Sequence, residues 1–355
     1  MTEQKIALVT GGNRGLGRAT AEKLARAGCV VVITARKVAE GEQAAADIRA
    51  AVPGADVRAL AVDLSSLSSV RAFADGFRAG FDRLDVLVCN AGVMQQSKER
   101  ALSADGHEVT FATNHLGHFL LVNLLLDVLQ QSHARVVVVS SRLHLPGSQG
   151  DAVDFDFDDV DLAHGYSPMR AYKNSKLCNV WFAYELQRRV GDRGVVVSAV
   201  CPNFVPATVA EGSHGVTRFL MKHVLSHMPF AHSVDEATDT FVKAALDESV
   251  AGGFFWGESR RIEHRRATTR PRRSACGISR SASWGSLPPD APGDADRDAE
   301  AAEAAEAAKS CAVVVIDGAR SARLKTTCRA VVKKEHVRST GRRSCPPLRW
   351  HQPPW

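Results

Sequence analysis

Seven short apolar runs dominate the first 258 residues of this 355-residue chain: "KIALVT" (5–10), "CVVVIT" (29–34), "DVRALAV" (56–62), "LDVLVC" (84–89), "RVVVVS" (135–140), "VVVSAV" (195–200) and "GFFW" (253–256). Most are continuously apolar rather than alternating, the pattern of parallel strands covered on both faces. Amphipathic stretches lie between them, such as "LGRATAEKLARAG" (16–28), "SVRAFADGFRAG" (69–80) and "FLLVNLLLDVLQQ" (119–131). Strand–helix alternation of this kind predicts an α/β fold, a doubly wound parallel sheet of about seven strands with helices on both faces. Right-handed crossovers then put the ligand crevice at the carboxyl ends of the strands.

The pattern stops after Glu258. Residues 259–355 are rich in Arg, Ser, Pro and Asp without periodicity, and are expected to be a disordered basic tail. Residues 1–258 hold 25 Lys/Arg against 29 Asp/Glu, a net of −4, so the overall +6 comes from a tail carrying +10. The basic balance is therefore no argument for nucleic-acid binding by the body, and the tail lacks the aromatic interleaving of single-strand binders. A non-catalytic module whose tail contacts a polyanion is the alternative. The abrupt change at Ser259 also has the look of a shifted frame or read-through. The expected boundary is 1–258 for the folded domain and 259–355 for a dispensable tail.

Eight cysteines are scattered without a C-x-x-C pair, which gives no zinc pattern, and no metal is expected. Cys29, Cys89, Cys178 and Cys201 sit in apolar stretches and read as buried thiols of a reducing compartment such as the cytoplasm. No run of 18 apolar residues suggests a membrane span, and "MTEQKIALVT" enters a strand without a secretory leader.

Chemistry enters with "TGGNRGLG", Thr10–Gly17, between the first strand and first helix. Gly11, Gly15 and Gly17 permit a tight turn and close backbone approach to a pyrophosphate. Asn13, Arg14 and Leu16 flank the helix amino terminus, whose free N–H groups and dipole favour an anion. The second strand ends in Ala35-Arg36, where an acidic residue would bind ribose hydroxyls in an NAD site. Arg36 and Arg14 instead suit a 2′-phosphate, hence NADP(H). In "AYKNSK", Tyr172 and Lys176 stand one helical turn apart, on one face. By spacing alone this is either an ordinary exposed face or a phenol placed beside an ammonium that would lower its pKa.

Further along stand "VDLSS" (Asp63, Leu64), "VCNAGV" (Asn90, Ala91, Gly92), "TNHLGHF" (Asn114), "VVVVSSRLH" (Ser140, Ser141) and "CPNFVPAT" (Pro202, Thr208). In this order, over residues 4–257, these motifs resemble the short-chain dehydrogenase/reductase family. The resemblance implies a Rossmann-type domain that interconverts a carbonyl and an alcohol by hydride transfer from nicotinamide. It makes Tyr172 the general acid/base, Lys176 its ribose-binding partner, and Ser141 the residue that orients the substrate oxygen, with Ser140 structural. Asn114 would hold a water in a proton relay to the lysine. Asp63, Leu64, Asn90, Ala91, Gly92, Pro202 and Thr208 would join the cofactor contacts, Thr208 at the carboxamide. The family usually has Pro-Gly where this chain has Pro202-Asn203, and Asn is among the residues that tolerate positive φ.

Longer stretches, "LDVLVCNAGV", "TNHLGHFLL", "AYKNSKLCNVWFAYELQRR" and "SVDEATDTFVKAALDES…GGFFW", are similar to the retinol-dehydrogenase-like and light-dependent protochlorophyllide reductase branches. Phe204 stands where the second branch has a cysteine, and the gap from Ser141 to Tyr172 is shorter than its insertion, so C=C reduction is the secondary expectation. Residues 209–232, with Leu220, Met221, Val224, Leu225 and Met228 at helical spacing, are expected to be a substrate lid: either a wall for a small lipophilic carbonyl or alcohol, or core packing. A homodimer is an open expectation.

Overall fold

The seven apolar runs become seven parallel strands of a single sheet in the computed structural model, which describes residues 4–144, 153, 155–211, 228, 231–256 and 260–261. The strands are β1 (Ile6–Val9), β2 (Val30–Ala35), β3 (Val57–Ala61), β4 (Val86–Cys89), β5 (Arg135–Val139), β6 (Val196–Cys201) and β7 (Gly253–Trp256). Their order is β3-β2-β1-β4-β5-β6-β7. Register follows the apolar residues: Ala7 lies opposite Val31 on one side and Val86 on the other. Every residue of β4 and of β5 is buried, so neither face of the sheet centre meets water. An eighth strand, β8 (Arg260–Arg261), pairs antiparallel with β7 just past the expected boundary at 258. Two charged residues give no apolar signal, so β8 was not foreseen. The rest of the expected tail lies outside the described residues, as does most of the expected lid.

The helices are α1 (Gly15–Arg26), α2 (Val38–Ala51), α3 (Leu67–Gly80), α4 (Val109–Phe111), α5 (Gly117–Leu124), α6 (Leu126–Gln131), α7 (Pro168–Val190), α8 (Pro206–Glu211) and α9 (Val234–Leu246). Local chemistry starts several of them. Ser167 accepts the Arg170 N–H at 3.1 Å and Pro168 follows as the first residue of α7. Ser233 and Glu236 form a reciprocal capping box on α9. The buried Glu108 accepts the N–H groups of Thr110 at 3.0 Å and Phe111 at 2.7 Å, starting α4.

The stretch expected as one helix over 119–131 is divided. Leu125, with φ −102° and ψ 8°, separates α5 from α6. Upstream, Ala112–Leu116 forms a π-helical turn between α4 and α5. Such turns insert one residue into a helix and recur at functional sites; here the middle residue is Asn114. Gly117 follows because α5 runs against the turn after β3: a Cβ there would lie 2.2 Å from the Leu64 carbonyl oxygen.

Arg135, at the start of β5, is buried. Its guanidinium donates to the carbonyls of Ala244 at 2.8 Å and Val250 at 2.7 Å, closing the end of α9 onto the sheet. The core pools apolar side chains from β1, β2, β4 and β5 with those of α1, α2 and α9, the fully buried Phe241 among them.

Candidate active site

The strand order reverses between β1 and β4, the place where a doubly wound sheet opens a crevice at its carboxyl edge. The residues following β1, β4, β5 and β6 all lie along that edge: Thr10, Asn90, Ser140–Ser141 and Pro202–Asn203.

In the glycine-rich turn, Gly11 and Gly15 adopt φ of 63° and 53°, values that carry the chain through the tight turn at little steric cost. Gly17 is needed for contact: a Cβ would come 2.2 Å from the Gly11 oxygen and 2.5 Å from Asn90 Nδ2. Leu16 is buried beneath the turn. Arg14, exposed and extended, supplies no side-chain cap, so the first-turn N–H groups of α1 keep their capacity for an anion. Asn13 instead donates to Glu40 at 3.3 Å, at the surface. Arg36 is exposed just after β2, and neither it nor Arg14 makes an ion pair among the described residues.

Asp63 turns inward on its own loop, where one carboxylate oxygen accepts from Ser65 N at 2.9 Å and Ser65 Oγ at 2.7 Å. Leu64 is buried against Gly117. Asn90 Nδ2 donates to the Thr10 carbonyl at 2.9 Å, binding the β4 turn to the glycine-rich turn. Thr10 Oγ1 accepts the backbone N–H groups of Asn90 at 2.9 Å and Ala91 at 3.0 Å. The glycine-rich motif alone does not single out this role for Thr10. Its signal was a polar side chain ending an apolar strand.

On the chemical side, four segments meet. Ser141 hydrogen-bonds the Tyr172 hydroxyl. Lys176 Nζ lies 5.7 Å from the centre of the Tyr172 ring and donates to the Val139 carbonyl at 3.0 Å. Ser140 is structural, as expected: its Oγ donates to the Lys176 carbonyl at 2.8 Å. Asn114 is buried, and its side-chain amide is hydrogen-bonded through both its oxygen and its nitrogen. Its Oδ1 accepts Val93 N at 2.7 Å, and its Nδ2 donates to the Val93 carbonyl at 2.9 Å and to Ser175 Oγ at 3.0 Å. Gly92 passes close to this convergence: a Cβ there would meet Asn114 Oδ1 at 3.4 Å and Lys176 Nζ at 3.5 Å, ordinary contact distances.

One expectation is reversed. The ammonium was expected to lower the Tyr172 pKa, yet burial pushes it up to about 12, with the Ser141 hydrogen bond pulling the other way and the Cys201 thiolate form adding repulsion. The residue is partly buried, and the cost of removing water from a phenolate there sets the direction of the shift. Lys176 is itself held down to about 8 by burial. Its ammonium turns toward Val139 rather than the phenol oxygen, so desolvation outweighs attraction in the folded chain. Tyr172 therefore keeps its proton throughout the neutral range.

Asn203 takes φ 61°, so the left-handed conformation expected of the Pro-Asn variant is present. Pro202 sits half-buried before it. Thr208 spends its hydroxyl proton on Val205 O at 2.8 Å and retains only acceptor capacity. Among the described residues, no cluster of His, Cys, Asp or Glu could hold a metal ion, and no helix is long and apolar enough to cross a membrane.

The model of the short chain dehydrogenase family matches residues 5–153. Retinol dehydrogenase 12 of Mus musculus is 38% identical over 261 residues, 73% of this chain and 79% of that protein. Polyprenol dehydrogenase of Homo sapiens is 37% identical over 264 residues, covering 72% and 77% of the two chains. Among solved structures, an uncharacterised protein from Mycobacterium paratuberculosis superposes with a TM-score of 0.57 at 34% identity, over 74% of this chain and 87% of that one.

Proposed function

The chain belongs to the short-chain dehydrogenase family, in its retinol-dehydrogenase-like branch, and from that premise we propose that it is an NADP(H)-dependent oxidoreductase that interconverts a carbonyl and an alcohol on a lipophilic substrate. The observation that carries the reading is the meeting of Ser141, Tyr172 and Lys176 beside the β1/β4 crevice. The uncapped first turn of α1, the positive-φ glycines, and Arg14 and Arg36, which make no ion pair among the described residues, fit a dinucleotide with a 2′-phosphate. The relatives' names, retinol and polyprenol dehydrogenases, support a lipophilic alcohol or its carbonyl as substrate.

When bound, the cofactor supplies the hydride. The protein's part is to hold and move the proton. Tyr172, protonated at neutral pH, donates to the carbonyl oxygen as charge develops on it. Ser141 donates to the same oxygen and fixes its distance from the phenol. Lys176, mostly charged below its pKa of about 8, adds positive potential at the developing phenolate and offers donors to ribose hydroxyls. Asn114 holds the 90–93 turn against α7 through its bonds to Val93 and Ser175. In the proposed relay a water beside it passes protons to Lys176. Thr208, Pro202 and Asn203 belong to the nicotinamide side, and Asp63 with Leu64 to the adenine side.

The test is direct. Purified full-length protein is mixed with NADPH and a panel of medium- and long-chain aldehydes and ketones, and loss of the reduced-nicotinamide absorbance is followed. Turnover that rises with chain length supports the reading. NADPH binding without turnover of any carbonyl would favour a non-catalytic binding module instead.

A further inference from the structure

His118 lies four residues beyond Asn114 and is buried, as are Asn114 and Thr10. Its Nδ1 is 3.0 Å from the Asn114 carbonyl oxygen, and its Nε2 is 2.8 Å from Thr10 Oγ1 across 108 residues of sequence. The carbonyl only accepts, so the Nδ1 must carry the proton. Burial holds the ring neutral, its pKa down to about 4. A neutral ring protonated on Nδ1 has a bare Nε2, so the Thr10 hydroxyl must donate to it. With its one proton committed, both lone pairs of Thr10 Oγ1 face the N–H groups of Asn90 and Ala91. Without His118 the proton would turn to the Val88 carbonyl, 3.2 Å away, which already accepts from Thr10 N and Asn90 N.

We propose that His118 is a positioning residue that fixes the direction of the Thr10 hydroxyl and joins the π-helical turn of Asn114 to the dinucleotide turns at Thr10–Gly11 and Asn90–Ala91. It touches neither cofactor nor substrate; it acts through Thr10 on one side and the Asn114 backbone on the other. The inference rests on the NADP(H) reading, because its consequence is read as cofactor affinity.

The imidazole has one donor and one acceptor role, and amide side chains separate them. In His118→Gln the longer side chain presents an oxygen near the Nε2 position and keeps the acceptor for Thr10. In His118→Asn the shorter one keeps a donor near Nδ1 for Asn114 and loses Thr10. His118→Leu loses both. The full-length variants are titrated with NADPH by its fluorescence enhancement, and hydrogen exchange of the Asn90 and Ala91 amides is followed without cofactor. His118→Gln should bind within about threefold of the original protein. His118→Asn and His118→Leu should each weaken NADPH by about tenfold, the size of one neutral hydrogen bond, with faster exchange at residues 90 and 91. In a Thr10→Val background, His118→Asn should add less than about twofold, since its route is already cut.

Three results overturn the proposal: His118→Gln as weak as His118→Leu, a full tenfold effect of His118→Asn on top of Thr10→Val, or unchanged exchange at 90–91 in His118→Asn. If the original protein binds no NADPH, the cofactor reading fails, and the exchange measurement still decides whether His118 orders the turn. Should His118→Leu fail to fold, the Gln and Asn pair carries the comparison alone.

Discussion

Replacing Tyr172 by Phe removes one oxygen from the centre of the proposed chemistry and little else. The ring stays, so its 5.7 Å relation to Lys176 and its half-buried packing are kept. The hydrogen bond with Ser141 is lost, worth about 0.5–1.5 kcal/mol in stability. That loss is partly offset because a hydroxyl no longer has to be desolvated. For a domain of this size the melting temperature should move by no more than roughly 5 °C. Lys176 still donates to Val139, so NADPH should bind within about threefold of the original. The rate is another matter. A positioned general acid contributes roughly 10²–10⁴-fold, or about 3–5 kcal/mol of barrier. The expected result is therefore a fall in kcat of at least a hundredfold with cofactor affinity and fold intact. Single-turnover loss of NADPH absorbance, with a fluorescence titration and a thermal melt on the same preparation, reads all three quantities. A variant that keeps more than a tenth of kcat would refute the acid/base role, and one that loses NADPH binding tenfold would show that Tyr172 serves the cofactor instead.

Other expectations follow from the same geometry. Arg36→Ala should weaken NADPH by roughly ten- to a hundredfold, from the loss of about 1.5–3 kcal/mol of charge-assisted bonding, while leaving NADH unchanged; equal effects on both cofactors by calorimetry would remove the 2′-phosphate assignment. Carbonyl reduction should hold level below about pH 7 and fall above about pH 8 as Lys176 loses its proton, since Tyr172 remains protonated to about 12; a rate that stays level to pH 10 would sink that order of titration. Arg135→Met should lower the melting temperature by roughly 10 °C, because two carbonyls lose charge-assisted donors worth about 3–5 kcal/mol together; a shift under about 3 °C would mean the end of α9 is held by other contacts.

The strands were legible because a parallel strand buried on both faces needs continuous apolar residues, and "RVVVVS" can hardly be anything else. The glycine-rich turn, Ser141, Tyr172 and Lys176 were legible because their chemistry demands particular residue types at particular spacings. Three things were not. The π-helical turn at 112–116 leaves no mark in a 3.6-residue pattern, since it shifts the face by one residue within a stretch that mixes polar and apolar residues and is buried nearly all round. Strand β8 is held by backbone pairing, to which its two arginine side chains give no clue. The direction of the Tyr172 shift was misjudged because spacing along a helix brings Lys176 near the ring but says nothing of how much protein surrounds both groups. His118 had a readable signal: it stands four residues after Asn114, the same spacing that made Tyr172 and Lys176 conspicuous, but its partner Thr10 is over a hundred residues away.

The reversal of strand order at β1 and β4 has a bearing on how the chain reaches this state. The contacts that build the site are distant in sequence: Thr10 meets Ala91 over 81 residues and His118 over 108, and Asn114 meets Ser175 over 61. Contacts of such separation form only after long loops have closed, which slows the search for the native arrangement. No βαβ unit can assemble this site by itself; it exists once β1, β4 and β5 lie side by side with α5 and α7 laid over them. A partly collapsed chain can therefore possess strands and helices yet bind no dinucleotide. Recovery of NADPH binding during refolding should then lag behind recovery of helical circular dichroism, making the ligand a reporter of the last closure rather than the first.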